Sequence, residues 1–161
     1  MNSMQPDNYS ARRPNSASIG TRAYQMALFV VFESGLQMLA DNPTLYYNNE
    51  DCIKFISSVP VLWDETKVLD AKLGEHLVLA KRNADKWYLG GMTAERKEPL
   101  EMDVVLDFLP EGKTYKLTSF EDGSNADRQA MHYTKNVREV RKGDTVKIRM
   151  VRNGGYAASL E

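Results

Sequence analysis

The chain has 161 residues, 42% of them hydrophobic and 27% charged, which suits one ordinary globular domain or one domain plus a piece of another. Lys and Arg number 21 against 22 Asp and Glu, so a net charge of -1 supplies no field that would draw the chain to nucleic acid or to an anionic membrane. The single cysteine, Cys52, excludes an internal disulfide framework and any multi-cysteine metal site.

Residues 1–20 are polar and rich in Asn, Ser and Pro, with no apolar run after a basic start; they read as an irregular loop and not as a secretory signal. The most apolar stretch, Met26 to Phe32, is interrupted by Glu33, Ser34 and Gly35 before LQMLA resumes, too short and too broken to span a bilayer. It predicts a helix from a Gly20 or Thr21 cap to about Ala40, stopped at Asp41-Asn42-Pro43 and apolar on nearly every side. A second, shorter helix is predicted over Asn48 to Ser57, with Cys52, Ile53, Phe55 and Ile56 inward, closed by Pro60.

Charge then changes density. Residues 1–60 carry 4 basic and 5 acidic side chains, residues 61–161 carry 17 of each, and the period of the hydrophobic pattern falls from helical to two. The runs 75–82, 85–93, 100–108, 113–122 and 144–152 alternate and are rich in β-branched and aromatic residues, and Trp63 to Ala71 and Gly155 to Leu160 extend the series. Turn signals such as Pro110-Glu111-Gly112, Lys142-Gly143-Asp144 and Asn153-Gly154-Gly155 separate them. Seven or eight short antiparallel strands of this kind predict a β-sandwich. The expected fold is therefore mostly β: an irregular loop over 1–20, a helical segment over 21–60 with two helices, and an antiparallel sandwich over 61–161. A nearly all-apolar helix is hard to satisfy against a small sandwich with charged outer faces, so it reads as the last element of something larger, such as the outer ring of an α/β barrel.

The runs GTRAYQMALFVVFESGLQMLADNP (20–43), FISSVPVLWDETKVLDAKLGEHLVLAKR (55–82), WYLGGMT (87–93) and DGSNADRQAMHY (122–133) closely resemble the C-terminal end of glycoside hydrolase family 97. Members of that family have an N-terminal β-supersandwich, a catalytic (β/α)8 barrel and a C-terminal β-sandwich, and hydrolyse α-glucosides or α-galactosides with calcium in the active site. The resemblance implies that Thr21 to Asn42 is the barrel's last helix and that the sandwich starts near Trp63. It also implies that catalytic carboxylates and calcium ligands lie upstream of Met1. No catalytic, cofactor-binding or metal-ligating residue is therefore assigned in this chain. The expected partners are the barrel and N-terminal domain of a parent enzyme and that enzyme's oligosaccharide substrate, in the periplasm or another extracytoplasmic space.

Glycoside hydrolysis needs two carboxyl groups roughly 5–10 Å apart, one with a raised pKa. Asp64-Glu65 and Glu121-Asp122 are adjacent in sequence, and strand neighbours point to opposite faces, which works against a shared site. Glu33, inside an apolar helix, would be a buried carboxylate in need of a partner. His76 and His132 lack the close spacing of zinc ligands. Asp122, Asn125 and Asp127 do not keep the alternate spacing of a calcium loop, and a turn with Asx side-chain bonds is expected there. Cys52, on a buried helix face, is no nucleophile. Trp63, Trp87, Tyr88, Tyr115, Tyr133 and Tyr156 could stack on sugars, although Trp87 and Tyr88 must face opposite ways, so at least one is core. The basic run Arg138, Arg141, Lys142, Lys147, Arg149 and Arg152, balanced by Glu139 and Asp144, reads as a solvated face. Two functions follow: a structural sandwich buttressing a family 97 barrel or, alternatively, a free-standing carbohydrate-binding or interaction module.

Overall fold

Eight segments form the strands β3 to β10 of a two-layer sandwich in a computed structural model of the chain, which describes residues 2–10, 17–39 and 41–161. In chain order these are β3 (Glu65–Lys72), β4 (His76–Asn83), β5 (Lys86–Thr93), β6 (Leu100–Val105), β7 (Thr114–Asp122), β8 (Tyr133–Arg141), β9 (Thr145–Met150) and β10 (Gly155–Leu160). Six of them form one antiparallel sheet in the order β3-β4-β5-β10-β7-β8, and β6 pairs with β9 in a second, two-stranded sheet. Between the layers lies a core that includes Trp87, Leu89, Leu106, Leu117, Ile148, Met150, Tyr156 and Leu160. The antiparallel sandwich is as the periodicity predicts. The strand outside the ranges named from the sequence is β8, whose sequence YTKNVREVR shows no apolar alternation because seven of its nine positions are exposed.

The helical segment is shorter and more divided than expected, with three helices instead of two. The first, α1 (Arg22–Val31), starts where the Thr21 side chain accepts the Tyr24 amide at 3.0 Å. It stops at Phe32, which is extended, and does not run on to Ala40. The reason lies in its end: Ser34 and Gly35 are poor helix formers, and two of the carbonyls left open there are taken by side chains. Lys81 Nζ donates to Val31 O at 3.2 Å, and Gln37 Nε2 to Phe29 O at 3.1 Å. The Asn42-Pro43 pair, read as a stop, is a start. Asn42 caps α2 (Pro43–Tyr47) by accepting the Leu45 amide, and Pro43 occupies the first turn, where its missing N–H costs nothing. The third helix, α3 (Glu50–Ser58), buries Cys52, Phe55 and Ile56, and Lys54 pairs with Glu50 at 2.7 Å on its wet side.

Helices α1 and α3 lie on the outer face of the six-stranded sheet, and the outer face is not charged where they lie. Leu79, Tyr88, Phe120 and Ala157 meet Met26, Ala27, Val30, Phe55 and Ile56 in a second core. Small residues let the helix approach. A Cβ on Gly90 would stand 2.9 Å from Val31 Cγ2, and one on Gly155 only 2.3 Å from the Tyr24 Cα. With both faces covered, β10 is buried at all six positions and β5 at six of eight. Trp87 and Tyr88 therefore point opposite ways and are both core.

Within residues 1–20, expected to be irregular, Ser3–Met4 (β1) and Ser18–Ile19 (β2) pair in parallel, and a 3-10 turn spans Pro6–Asn8. Gln5 is fully buried and donates to Ala126 O at 3.0 Å and Arg152 O at 3.1 Å, and Asp7 pairs with Arg152. Pairing across such sequence distances leaves no local signature.

Candidate functional site

The most elaborated polar site is the seam where the helical segment meets the sandwich. It turns on Asp122, at the end of β7 and 7% exposed. Its Oδ2 accepts the backbone amides of Val151 at 2.9 Å and Gly155 at 3.1 Å, which closes the turn joining β9 to β10. Gly154 has to be glycine here, since a Cβ would come within 2.1 Å of that oxygen. Burial pushes the Asp122 carboxyl up to about 6, while hydrogen bonds from the Thr21 side chain and the two amides work the other way. Thr21 in turn caps α1, and its own amide donates to Asn153 O at 2.9 Å, so the start of the helix, the end of β7 and the last turn form one latch. A carboxyl with a raised pKa is what a general acid needs, but this one is enclosed by main chain on the side it faces.

A second polar feature of the seam is Lys81 on β4. It is 1% exposed, and its Nζ reaches Val31 O and, at 3.0 Å, Glu33 Oε1, and lies over the Trp63 ring at 5.4 Å. The buried member of the pair is thus the lysine. Glu33, expected to be buried within a helix, follows the helix end and has a side chain 66% exposed.

The remaining candidates disperse. Asp64 and Glu65 do share a partner, contrary to expectation: both reach Arg82, at 3.4 and 3.2 Å, because Asp64 precedes β3 and strand alternation does not govern it. Hydrogen bonds from Lys67 and then Arg82 hold Glu65 below the usual carboxylate range, the reverse of a general acid. Glu121 faces the opposite side of β7 from Asp122 and accepts Ser119 Oγ at 2.7 Å and Asn136 Nδ2 at 3.1 Å. The turn after it is held by main chain, with Gly123 N donating to His132 O and Ala126 N to Gly123 O. His76 pairs with Asp70 at 3.2 Å, and the His132 ring packs over Gly123. Among the described residues no three His, Cys, Asp or Glu side chains come together to hold a metal ion. Burial raises the Cys52 thiol, which a bond to Tyr133 only partly offsets, and Tyr133 itself is pushed up to about 12.

Of the six rings proposed to stack on sugars, Trp87, Tyr88, Tyr115 and Tyr156 are fully buried. Trp63 and Tyr133 are half-buried, packed edge-on to Tyr88 at 5.5 Å and tilted against Phe120 at 6.0 Å. The basic run is split among several jobs: Arg138 donates to Thr145 O, Arg149 faces Glu101 at 3.7 Å, and Arg152 holds Asp7 and Glu95. What sequence reasoning missed is the latch at Asp122 and the buried Lys81; a lysine within the apolar run HLVLAKR was the one available signal.

Exposed apolar side chains gather after α1. Phe32, Leu36, Met38 and Leu39 lie in the irregular segment that follows it, Tyr47 ends α2, and Leu62 follows α3. No helix among the described residues is long and apolar enough to cross a membrane.

A family model described as the C-terminal, oligomerisation domain of glycosyl hydrolase 97 matches residues 62–161. A retaining alpha-galactosidase of Bacteroides thetaiotaomicron is 38% identical over 154 residues, covering 96% of this chain and 23% of its own length. A probable retaining alpha-galactosidase of Streptomyces bingchenggensis is 32% identical over 147 residues, covering 91% of this chain and 21% of its own. Among solved structures, a family 97 glycoside hydrolase from Pseudoalteromonas sp. strain K8, in complex with panose, superposes with a TM-score of 0.81 at 32% identity over 88% of this chain and 22% of that one. A beta-arabinopyranosidase does so with a TM-score of 0.75 at 26% identity, over 97% and 24%. The chain thus spans less than a quarter of the length of the curated relatives it matches. Match, identity and superposition agree on one assignment: the chain belongs to glycoside hydrolase family 97, whose C-terminal domain it carries in residues 62–161.

Proposed function

We propose that the chain is the C-terminal, structural part of a family 97 glycosidase whose intact form hydrolyses α-galactosides or α-glucosides, and that its sandwich buttresses a catalytic barrel and serves assembly instead of handling substrate. One observation carries this reading. The outer face of the six-stranded sheet is apolar, opened by Gly90 and Gly155, and sealed by α1, so the sandwich is built to grip a helix. The apolar segment beyond that helix, with Phe32 57% and Leu36 76% exposed, is a surface that a neighbouring body such as a barrel would cover. Four of the six candidate rings are buried, and the half-buried Trp63 and Tyr133 pack on Tyr88 and Phe120, which supports a structural role over a sugar-stacking one.

The relatives' names support both substrate classes: the curated ones are alpha-galactosidases, and the Pseudoalteromonas enzyme was seen with panose and with acarbose. The description of the matched family domain supports the assembly role. Calcium, on this reading, belongs to the intact enzyme, and the setting is the periplasm or another extracytoplasmic space.

Titration of the chain with galactose-type and maltose-type α-glycosides, followed by calorimetry, tests the reading. No saturable binding and no release of aryl alcohol from aryl α-glycosides are expected. Saturable binding would sink the purely structural role, and aryl release that disappears in Glu33→Gln would overturn it outright.

A further inference from the structure

The two edges of the six-stranded sheet are unlike. On one side β3 is blunted, its register with β4 shifting between Val68 and Asp70, which is how native edges are protected from pairing. On the other side β8 runs nine residues in unbroken register with β7, without proline or bulge.

The direction of its free backbone groups follows from its neighbours. Lys116 exchanges both main-chain bonds with Glu161, at 2.8 and 3.1 Å, so its N–H and C=O point toward β10. Glu139, opposite Lys116, therefore points its own N–H and C=O away from β7, and so do Tyr133, Lys135, Val137 and Arg141. The Arg141 amide is already taken by the Asp144 carboxylate at 2.7 Å. The main-chain groups of Lys135, Val137 and Glu139 remain for a partner strand.

We infer that β8 is the interface through which a second copy of this chain joins, by antiparallel pairing centred on Val137 that makes one continuous twelve-stranded sheet across a two-fold axis. This rests on the assembly role proposed above and names its surface. Charge selects the register. With Val137 opposite its own copy, Lys135 faces Glu139 of the second chain and Glu139 faces its Lys135, on the same side as the two valines. On the other side Asn136 meets Arg138 and Thr134 meets Val140, with no like charges opposed. Centring the pairing on Lys135, Arg138 or Glu139 instead sets two identical charges against each other. Centring it on Asn136 opposes no like charges but makes no ion pair. Val137 is 53% exposed, and among the described residues Glu139 has no ion-pair partner in its own chain. Lys135 also holds Asp51 of α3 at 2.6 Å, which fixes its ammonium beside the strand, within reach of the incoming carboxylate. The contact is isologous and closes on itself, so it yields dimers and not fibres.

Sedimentation equilibrium of the 161-residue chain over a range of concentrations tests this. Dimers are expected. E139K, which sets lysine against lysine, should weaken them at least about tenfold. K135E should do the same, and the exchanged pair K135E/E139K should recover most of the loss, although K135E also surrenders Asp51. V137P removes an N–H that points out of the sheet, so it should abolish dimers while leaving circular dichroism and the melting temperature close to those of the parent. A chain that stays monomeric at all concentrations overturns the inference, as do dimers indifferent to both E139K and V137P. So do dimers lost only in Leu36→Ser, because they would run through the apolar segment. Each of these outcomes leaves the glycoside titration, and with it the structural role, untouched.

Discussion

Replacing Asp122 by asparagine isolates the electrostatic cost of the latch. The carboxyl titrates near 6 when folded against 3.8 for the free side chain, and burial is the largest cause. A raised folded pKa means that the native state holds the proton more tightly than the unfolded chain does. The associated stability is fully present below about pH 3.8 and is lost as pH rises through about 6. Two pKa units correspond to about 3 kcal/mol in full. Between about pH 7.5 and about pH 4.5, where the unfolded carboxyl is still mostly ionised, the gain comes to about 2 kcal/mol. Asparagine keeps the shape and an oxygen for the Val151 and Gly155 amides but does not titrate. Urea unfolding of both proteins at the two pH values gives the comparison. Other carboxylates, among them Glu65 and Glu75, whose pKa values are lowered by exposed partners, push the opposite way but do so equally in both proteins. The parent should gain about 2 kcal/mol on the asparagine variant as the pH falls. A difference flat to within about 0.5 kcal/mol would refute the claim that desolvation governs this carboxyl. A difference of the opposite sign would mean that the two amides outweigh burial.

The seam makes further predictions. Met26, fully buried between α1 and the sheet, should cost about 2–5 kcal/mol on truncation to alanine, read as a lower urea midpoint. Gly90→Val has the opposite cause and a similar result: its new Cβ would press on Val30 and Val31, and overpacking of this kind should cost about 1–3 kcal/mol. Lys81→Met keeps the buried stem and removes the buried charge, so stability should stay within about 1.5 kcal/mol of the parent. Lys81→Ala, which also opens a gap beside Trp63, should cost about 2–4 kcal/mol. Equal losses in the two Lys81 variants would show that the ammonium, and not the stem, carries the site.

Alternation in β4, β5, β7 and β9 was legible because one face of each packs on the inter-sheet core and the pattern is local. The same rule failed for β8, whose outer positions are wet on both faces and whose strand character comes from pairing with β7. Helix length was misjudged for a different reason. Apolar residues resume after the Glu33-Ser34-Gly35 break and invite one long helix to Leu39, but that break ends it, and Lys81, fifty residues away from Val31, takes the Val31 carbonyl there. Glu33 was misplaced as a consequence, falling in the solvent-facing segment instead of the buried turn. Asp122 was visible only as one of several acids in a turn, since its partners, Thr21, Val151 and Gly155, are 101, 29 and 33 positions away.

The shift in charge density near Pro60 coincides with the connection from α3 to β3, and the family match begins at residue 62, yet the packing does not divide there. Leu79, Tyr88, Phe120 and Ala157 belong to strands of the sandwich but are buried by α1 and α3. A sheet that keeps glycine at Gly90 and Gly155, where any side chain would collide with α1, has given up packing of its own on that face in exchange for the helix. Its low-charge center also explains how a helix apolar on nearly every side can be accommodated: the charges counted after Pro60 are concentrated on β3, β8 and the turns, away from the strands beneath the helix. The chemistry of α1 and the composition of β5 and β10 are therefore two halves of one contact, and the sandwich defined by residues 62–161 depends for its outer core on residues that begin at Thr21.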